Sequence, residues 1–315
     1  MGTVLPNSLR HVLDEQGRDT GFCFVREPVR AEHMPVFHAL AKDHRMVGLC
    51  SFGPFPLFHE GYRDFWELPG ETVPEEGWNR PFIEACEAWC HCFREPDRFL
   101  PPGRPRLLFS NSDFTDIERI RAAALPSGPV GKRWDVVYSC LGHRLYEFQK
   151  DWDTAKACLR RLCGDLGLRV LVVGRADSAD LPDLPGLEVL ESLPLPWDEF
   201  LQYVARARVV MLPHRFDASP RALPEALAMD VPVLVRRGIL GGWKYVTPET
   251  GEFFDDEGDV VQAAWRVLTG TYTPSAWLSR NYGRRRAEAR LADFLRGLPG
   301  GEGLKAAHVH ITGAL

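Results

Sequence analysis

Asp217 and Glu225 are two carboxylates with seven residues between them, inside the run VVMLPHRFDASPRALPEALAMDVPVLVRRGILGGWKYVTPETGE from Val209 to Glu252. Ionised carboxylates only accept hydrogen bonds, so a pair facing the same space offers binding chemistry to a ligand that presents donors. Arg144 and Lys150 lie six apart in an earlier loop. A guanidinium fork and an ammonium point charge can together neutralise an anionic group without a metal. Gly241 and Gly242 supply backbone that can approach a ligand closely.

The elements that must position these groups follow from the local pattern. Val209 to Leu212 is a short apolar run, Ser219-Pro220 signals a helix start, and Val231 to Val235 is a second β-branched run. Asp217 falls in the loop leaving the first strand and Glu225 about a turn and a half into the helix, so both can face a ligand at the strand's carboxyl end. Pro224 removes one helix N–H and biases Leu223 away from helix, which moves the expected start later or bends it.

Upstream, Trp134 to Ser139 and Val170 to Val173 read as strands, the second closing on Gly174, and Leu187 to Leu190 as a shorter one. Helices are predicted over Thr154 to Cys163, capped by Asp153 and ended near Gly164, and over Asp198 to Ala205, Asp259 to Leu268 and Ser275 to Arg296. In the N-terminal third, Phe22 to Val25, a helix from about Ala31 to Lys42, and Met46 to Phe52 form a βαβ beginning. Gly53 to Trp78 reads as a long loop dense in Pro, Gly and aromatics, and Arg106 to Ser110 as a further strand followed by the capping signal Asn111-Ser112-Asp113. The composition shift over Ala122 to Arg133 marks the interdomain linker. The expected layout is a first domain over 1–128, a second over 129–274, a returning helix over 275–297 and a frayed tail over 298–315.

The Val209–Glu252 run resembles the donor-binding segment of the retaining GT-B glycosyltransferases of the "group 1" family. In that family two glutamates seven apart precede Ala, a small or apolar pair and x-Pro-Val. Here Asp217 stands at the first glutamate and Glu225 at the second, followed by Ala226-Leu227-Ala228 and Pro232-Val233. Gly241-Gly242, Val246 and Thr250-Gly251 match the family's later blocks at the same mutual spacing. The resemblance implies an α/β, GT-B-like fold: two Rossmann-like domains facing a cleft, with the C-terminal helix crossing back to the first. It covers the second domain; the first is short for an acceptor domain and matches no acceptor motif.

The resemblance also implies an activity, transfer of a sugar from a nucleoside-diphosphate-sugar to an acceptor hydroxyl, with retention and without a divalent metal. Arg144 and Lys150 would then sit on the diphosphate and Glu225 would accept from the two ribose hydroxyls. Asp217 would hold hydroxyls of the donor sugar. It is one methylene shorter than the family's glutamate, which draws the carboxylate back by roughly 1.5 Å and leaves donor identity open. Gly174, Ser219, Arg221, Gly241, Gly242 and Lys244 complete the donor-binding set, with backbone amides from Ser219 to Ala222 adding donors for the same anion. His59 is the acceptor-side candidate, set against a structural role within its loop.

Two other readings stay open. Ser219, Arg221, Glu225 and Pro232-Val233 also fit an inverting, exostosin-like transferase, and the short first domain would suit a non-catalytic nucleotide-sugar-binding or scaffold protein. Asp151-Trp152-Asp153 resembles the metal-binding D-x-D of GT-A transferases but is better placed as a helix cap. Arg284-Arg285-Arg286 reads as a solvated helix face, and His308 and His310 lie in the tail. Cys86, Cys90, His91 and Cys92 fall in an apparently helical run, Phe82 to Arg94, where their spacing suits packing better than zinc.

Composition bounds the rest. The 315 residues are 45% hydrophobic and 26% charged, with net charge -5, which suggests two globular domains and gives no reason to expect nucleic acid as a partner. Local basic patches leave room for peripheral membrane contact. No signal peptide or run of about 18 apolar residues is evident, so a cytoplasmic protein with reduced cysteines is expected. No helix opens with G-x-G-x-x-G, so no nicotinamide cofactor is expected.

Overall fold

The computed structural model describes residues 5–50, 55, 80–125, 128, 130–140, 150–174, 183–190 and 195–312. The chain divides into two compact units, one of residues 1–114 with 284–315 and the other of Thr115–Gly283.

The second unit is built on six parallel strands: β6 (Trp134–Ser139), β7 (Val170–Val173), β8 (Leu187–Leu190), β9 (Ala207–Leu212), β10 (Val233–Arg236) and β11 (Gly251–Phe254). Their spatial order is β8-β7-β6-β9-β10-β11. The chain therefore winds outward from β6 in one direction, returns, and winds outward from β9 in the other. Alternating residues along each strand feed two cores. Val137, Leu171, Val210, Val233 and Val235 join one, and Val136, Tyr138, Val170, Val172, Val209, Met211 and Leu234 join the other. Both faces are covered, as a parallel sheet requires, which explains why these strands read as continuous apolar runs.

The helices divide accordingly. On one face α3 (Ile117–Ala124), α5 (Trp197–Ala205), α6 (Ala222–Ala228) and α8 (Pro274–Asn281) supply Ile120, Leu201, Val204, Leu223, Ala226 and Leu278 to the core. On the other, α4 (Trp152–Leu166) supplies Ala155, Cys158, Leu159 and Leu162, and α7 (Val260–Thr269) supplies Val260, Ala263, Ala264 and Val267. α4 outruns the expected 154–163: its cap is Asp151, whose side chain accepts from Thr154 N, and it ends at left-handed Gly167 rather than near Gly164. The division between units lies at Thr115, ahead of the expected linker, because Ile120 and Ala124 of α3 are buried in the second unit's core.

The first unit carries β1 (Leu9–Asp14), β2 (Asp19–Val25), β3 (Arg45–Leu49), β4 (Cys86–His91), β5 (Arg106–Leu108) and β12 (Val309–Ile311), in the order β12-β1-β2-β3-β4-β5. β2 to β5 are parallel, and β1 is antiparallel to both β2 and β12. α1 (Met34–Asp43) bridges β2 and β3, and α2 (Arg80–Ala85) leads into β4.

Three expectations are corrected here. The helix expected over Phe82 to Arg94 stops at Ala85, and Cys86 to His91 is a buried strand. Burial on both faces erased the alternation that would have revealed it. The helix expected over 275–296 is two, α8 and α9 (Arg284–Arg296), separated at Gly283, whose φ is 113°. α8 packs with the second unit, whereas Ala287, Leu291, Ala292 and Leu295 of α9 enter the first unit's core beside Phe22, Phe24 and Val47. The tail is not frayed over its described length. Val309 and Ile311 are buried, β12 pairs with β1, and Arg296 donates to the carbonyls of Leu304 and Ala306.

Candidate functional site

In a parallel sheet wound outward in both directions, the connections leave β6 and β9 toward opposite faces, opening a crevice at the carboxyl ends of these adjacent strands. The residues that follow β6 and β9 therefore converge without any sequence signal linking them. Lys150 follows β6. It precedes Asp151, which holds a left-handed conformation, caps α4 and forms an ion pair with Arg236 at the end of β10. This is the part Asp151 plays; Asp153 pairs instead with Lys156 at 2.9 Å.

After β9 the chain runs through His214, Asp217 and Ser219 into α6. His214 is 1% exposed. Its Nδ1 lies 3.1 Å from Oδ2 of Asp217, and the Ser219 amide donates to Oδ1 at 3.2 Å. Burial lowers the His214 pKa against the pull of Asp217, and the nearby charge of Lys150 lowers it further. A neutral His214 donates from Nδ1 to the carboxylate, which leaves Nε2 as an acceptor; Nε2 is buried with no hydrogen-bond partner among the described residues. For Asp217, burial acts upward, but the His214 hydrogen bond, the charge of Lys150 and the Ser219 amide together hold the carboxyl below its usual range.

Glu225 sits in the first turn of α6. The helix begins at Ala222 with Arg221 as its cap residue, later than the Ser219-Pro220 signal placed it, and spans seven residues. Pro224 is tolerated because amides of a first turn have no intrahelical acceptor. Burial raises the Glu225 pKa, opposed by a hydrogen bond from Trp197 and by the charges of Arg221 and Lys150. That bond runs from Nε1 of Trp197 to Oε1 at 2.9 Å. The Arg119 guanidinium of α3 lies 5.0 Å from the Trp197 ring centroid. The charge of Lys150 thus bears on His214, Asp217 and Glu225 alike.

The glycine pair has a role within the chain. A Cβ on Gly241 would fall 1.9 Å from the Ala218 carbonyl oxygen, and one on Gly242, whose φ is 80°, would fall 2.5 Å from Pro220 Cγ. Gly241 N also donates to the Asp217 carbonyl at 2.9 Å. The close approach these glycines permit is to the loop carrying Asp217. Similarly, a Cβ on Gly251 would meet the Val233 carbonyl at 2.0 Å, so the Thr-Gly step lets β11 lie against β10.

The structure brings together Lys150, Asp217, Ser219, Arg221 and Glu225. Gly174 ends β7 with φ 87°, donating to the Leu190 carbonyl at 2.9 Å. Lys244 is placed over aromatic rings, its Nζ 5.3 Å from the Tyr245 and 5.5 Å from the Tyr282 centroid. Arg144 and His59 lie outside the described residues. Sequence reasoning missed His214 and Trp197. His214 carried a signal, standing three before Asp217 directly after a strand; Trp197, 28 residues from Glu225, carried none.

No protein-family model matches the sequence, and no characterised protein sequence matches it. Solved structures do match. An E. coli structure of trehalose-6-phosphate bound with UDP-2-fluoro glucose aligns with TM-score 0.59 and 10% identity, over 88% of this chain and 73% of that one. A sucrose-phosphate synthase from Thermosynechococcus elongatus aligns with TM-score 0.55 and 11% identity, over 87% and 73%. TarM aligns with TM-score 0.56 and 10% identity, over 86% of this chain and 54% of TarM. The likeness is one of fold, and the fold is GT-B, with two Rossmann-like units.

Proposed function

We propose that this protein is a glycosyltransferase that moves a sugar from a nucleoside-diphosphate-sugar to an acceptor hydroxyl, with retention and without a divalent metal. The observation that carries the reading is the convergence of Lys150, Asp217 and Glu225 where the connections after β6 and β9 part. A UDP-sugar analogue bound to a protein of the same fold supports the donor class.

Each demand of the transfer has a residue. The diphosphate leaving group gathers negative charge as the glycosyl bond breaks, and Lys150 supplies positive charge against it, with Arg144 as its partner on the strength of the sequence resemblance. Glu225 accepts from the ribose hydroxyls. Trp197 takes one lone pair of Oε1 and fixes the carboxylate's rotation. Asp217, steadied by His214 and the Ser219 amide, orients the donor sugar. Retention rests on the register of Asp217 and Glu225 with the glycine pair and the Thr-Gly block.

The test is a saturation-transfer NMR panel of UDP-, GDP- and ADP-sugars with the full chain, followed by hydrolysis and transfer assays on those that bind. Binding with slow hydrolysis of one donor is the expected result. Binding without any turnover would replace the enzyme by a binding protein, and no binding would remove the nucleotide-sugar reading altogether.

A further inference from the structure

We propose that the first unit carries a binding site for one divalent transition-metal ion of the zinc type, formed by His11, Asp19 and His44. His11 is on β1, Asp19 opens β2, and His44 follows the last residue of α1. His44 is distant in sequence from the other two, and the three are gathered by the β1–β2 pairing and the return of α1 into β3. Oδ2 of Asp19 lies 2.9 Å from Nδ1 of His11 and 2.9 Å from Nε2 of His44. All three donor atoms lie within 4.8 Å of one another.

A simple hydrogen-bonded tie accounts for only half of this. His44 Nε2 is aligned with Oδ2 as a hydrogen bond. His11 Nδ1 stands at the same distance without that alignment, and is buried with no hydrogen-bond partner among the described residues. The other oxygen of Asp19, Oδ1, accepts from the Gly21 amide at 2.8 Å. An ion beside Oδ2 gives both imidazoles and the carboxylate one common partner.

The dimensions suit such an ion. With bonds of about 2.0–2.1 Å, the two Asp19–imidazole edges of 2.9 Å each subtend roughly 90° at the metal, and opening both by about 0.4 Å reaches the tetrahedral value. The two imidazoles are borderline donors beside one hard carboxylate oxygen, a set that favours zinc, cobalt or nickel over calcium or magnesium, which take oxygen shells. Charge agrees, because the carboxyl end of the ten-residue α1, where His44 is the cap, carries the negative end of the helix dipole. The frame is held in place: His11 pairs with Cys23 of β2, and its carbonyl accepts from Thr312 N. The side chains of His11, Asp19 and His44 are 26%, 41% and 15% exposed, so water can reach the ion and complete its shell.

The site contains no residue of the proposed donor site, so its test is independent of that reading. Full-length protein freed of metal by chelation is titrated with Co2+, read by visible absorption, and with Zn2+, read by calorimetry. One equivalent of Co2+ giving absorption bands that Zn2+ abolishes is the expected result, with affinity falling at least about ten-fold in Asp19→Asn and in the double variant His11→Gln/His44→Gln. Asp19→Asn, at the more exposed position, keeps the test sound if the double variant fails to fold by circular dichroism. Absence of saturable binding, or binding undiminished in the folded variants, overturns the proposal.

Discussion

Trp197 Nε1 donates to Glu225 Oε1 at 2.9 Å, so an indole from the start of α5 holds the carboxylate in the first turn of α6. Burial works against ionisation of Glu225, and this bond favours the ionised form. Trp197→Phe keeps the ring and removes the donor. Nucleotide affinity is expected to fall by about 1–3 kcal/mol, the range for a hydrogen bond to a charged group. The acid limb of binding should also move to higher pH, because Glu225 must be ionised to accept from two hydroxyls. Calorimetry with the nucleoside diphosphate at several pH values reads both effects, and an unchanged acid limb would count against this role.

The two carboxylates should divide their work. Glu225→Gln keeps the size but weakens acceptance, so affinity for nucleoside diphosphate and for intact donor should fall together by roughly 1–3 kcal/mol. Asp217→Asn should leave nucleotide affinity nearly intact while lowering transfer, because the lost contact orients the sugar as the bond to phosphate breaks. Equal loss of nucleotide affinity in both variants would show that Asp217 does not face the sugar.

Stability should carry the signature of His214. Burial lowers its pKa below the ordinary 6.5, so as pH falls through 6.5 the unfolded chain takes up a proton before the folded one. Stability is therefore full above that pH and is lost below it, with a slope of at most about 1.4 kcal/mol per pH unit from this group. Denaturant titrations should show this loss flattened in His214→Gln. The same acid slope in both proteins would assign it elsewhere.

Gly241→Ala places a methyl group where the Ala218 carbonyl stands. The loop carrying Asp217 has to shift, at a cost of about 1–3 kcal/mol or more, and donor binding should weaken with it. Gly238, around which a Cβ would meet nothing within 4 Å, is the control. If Gly241→Ala melts and binds like Gly238→Ala, the loop is more compliant than its contacts imply.

Lys150 supplies positive charge to the site from the protein itself, so Mg2+ or Mn2+ should not accelerate transfer, whereas Lys150→Gln should lower it by on the order of 100-fold or more. Initial rates with chelator, with each ion and with the variant test this. Strict dependence on manganese would point to a donor site organised around the ion.

Much of the second unit was legible from residue order alone. Val170–Val173 and Leu187–Leu190 emerge with the expected bounds, and Asp217 and Glu225 fall in the expected loop and helix, because strand and helix leave local periods in the chain. The carboxylate pair was likewise readable, since its spacing is that of one strand–loop–helix unit. Tertiary structure decided the rest. Cys86–His91 became a strand because sheet and helix bury it on both faces, which removes the period. β12 depends on pairing with a strand at the other end of the chain. Trp197 meets Glu225, and Lys150 bears on Asp217, only because β9 returns beside β6. Spacing encodes what a segment does against its own neighbours, while a hydrogen bond or charge between segments depends on where the whole sheet places their ends.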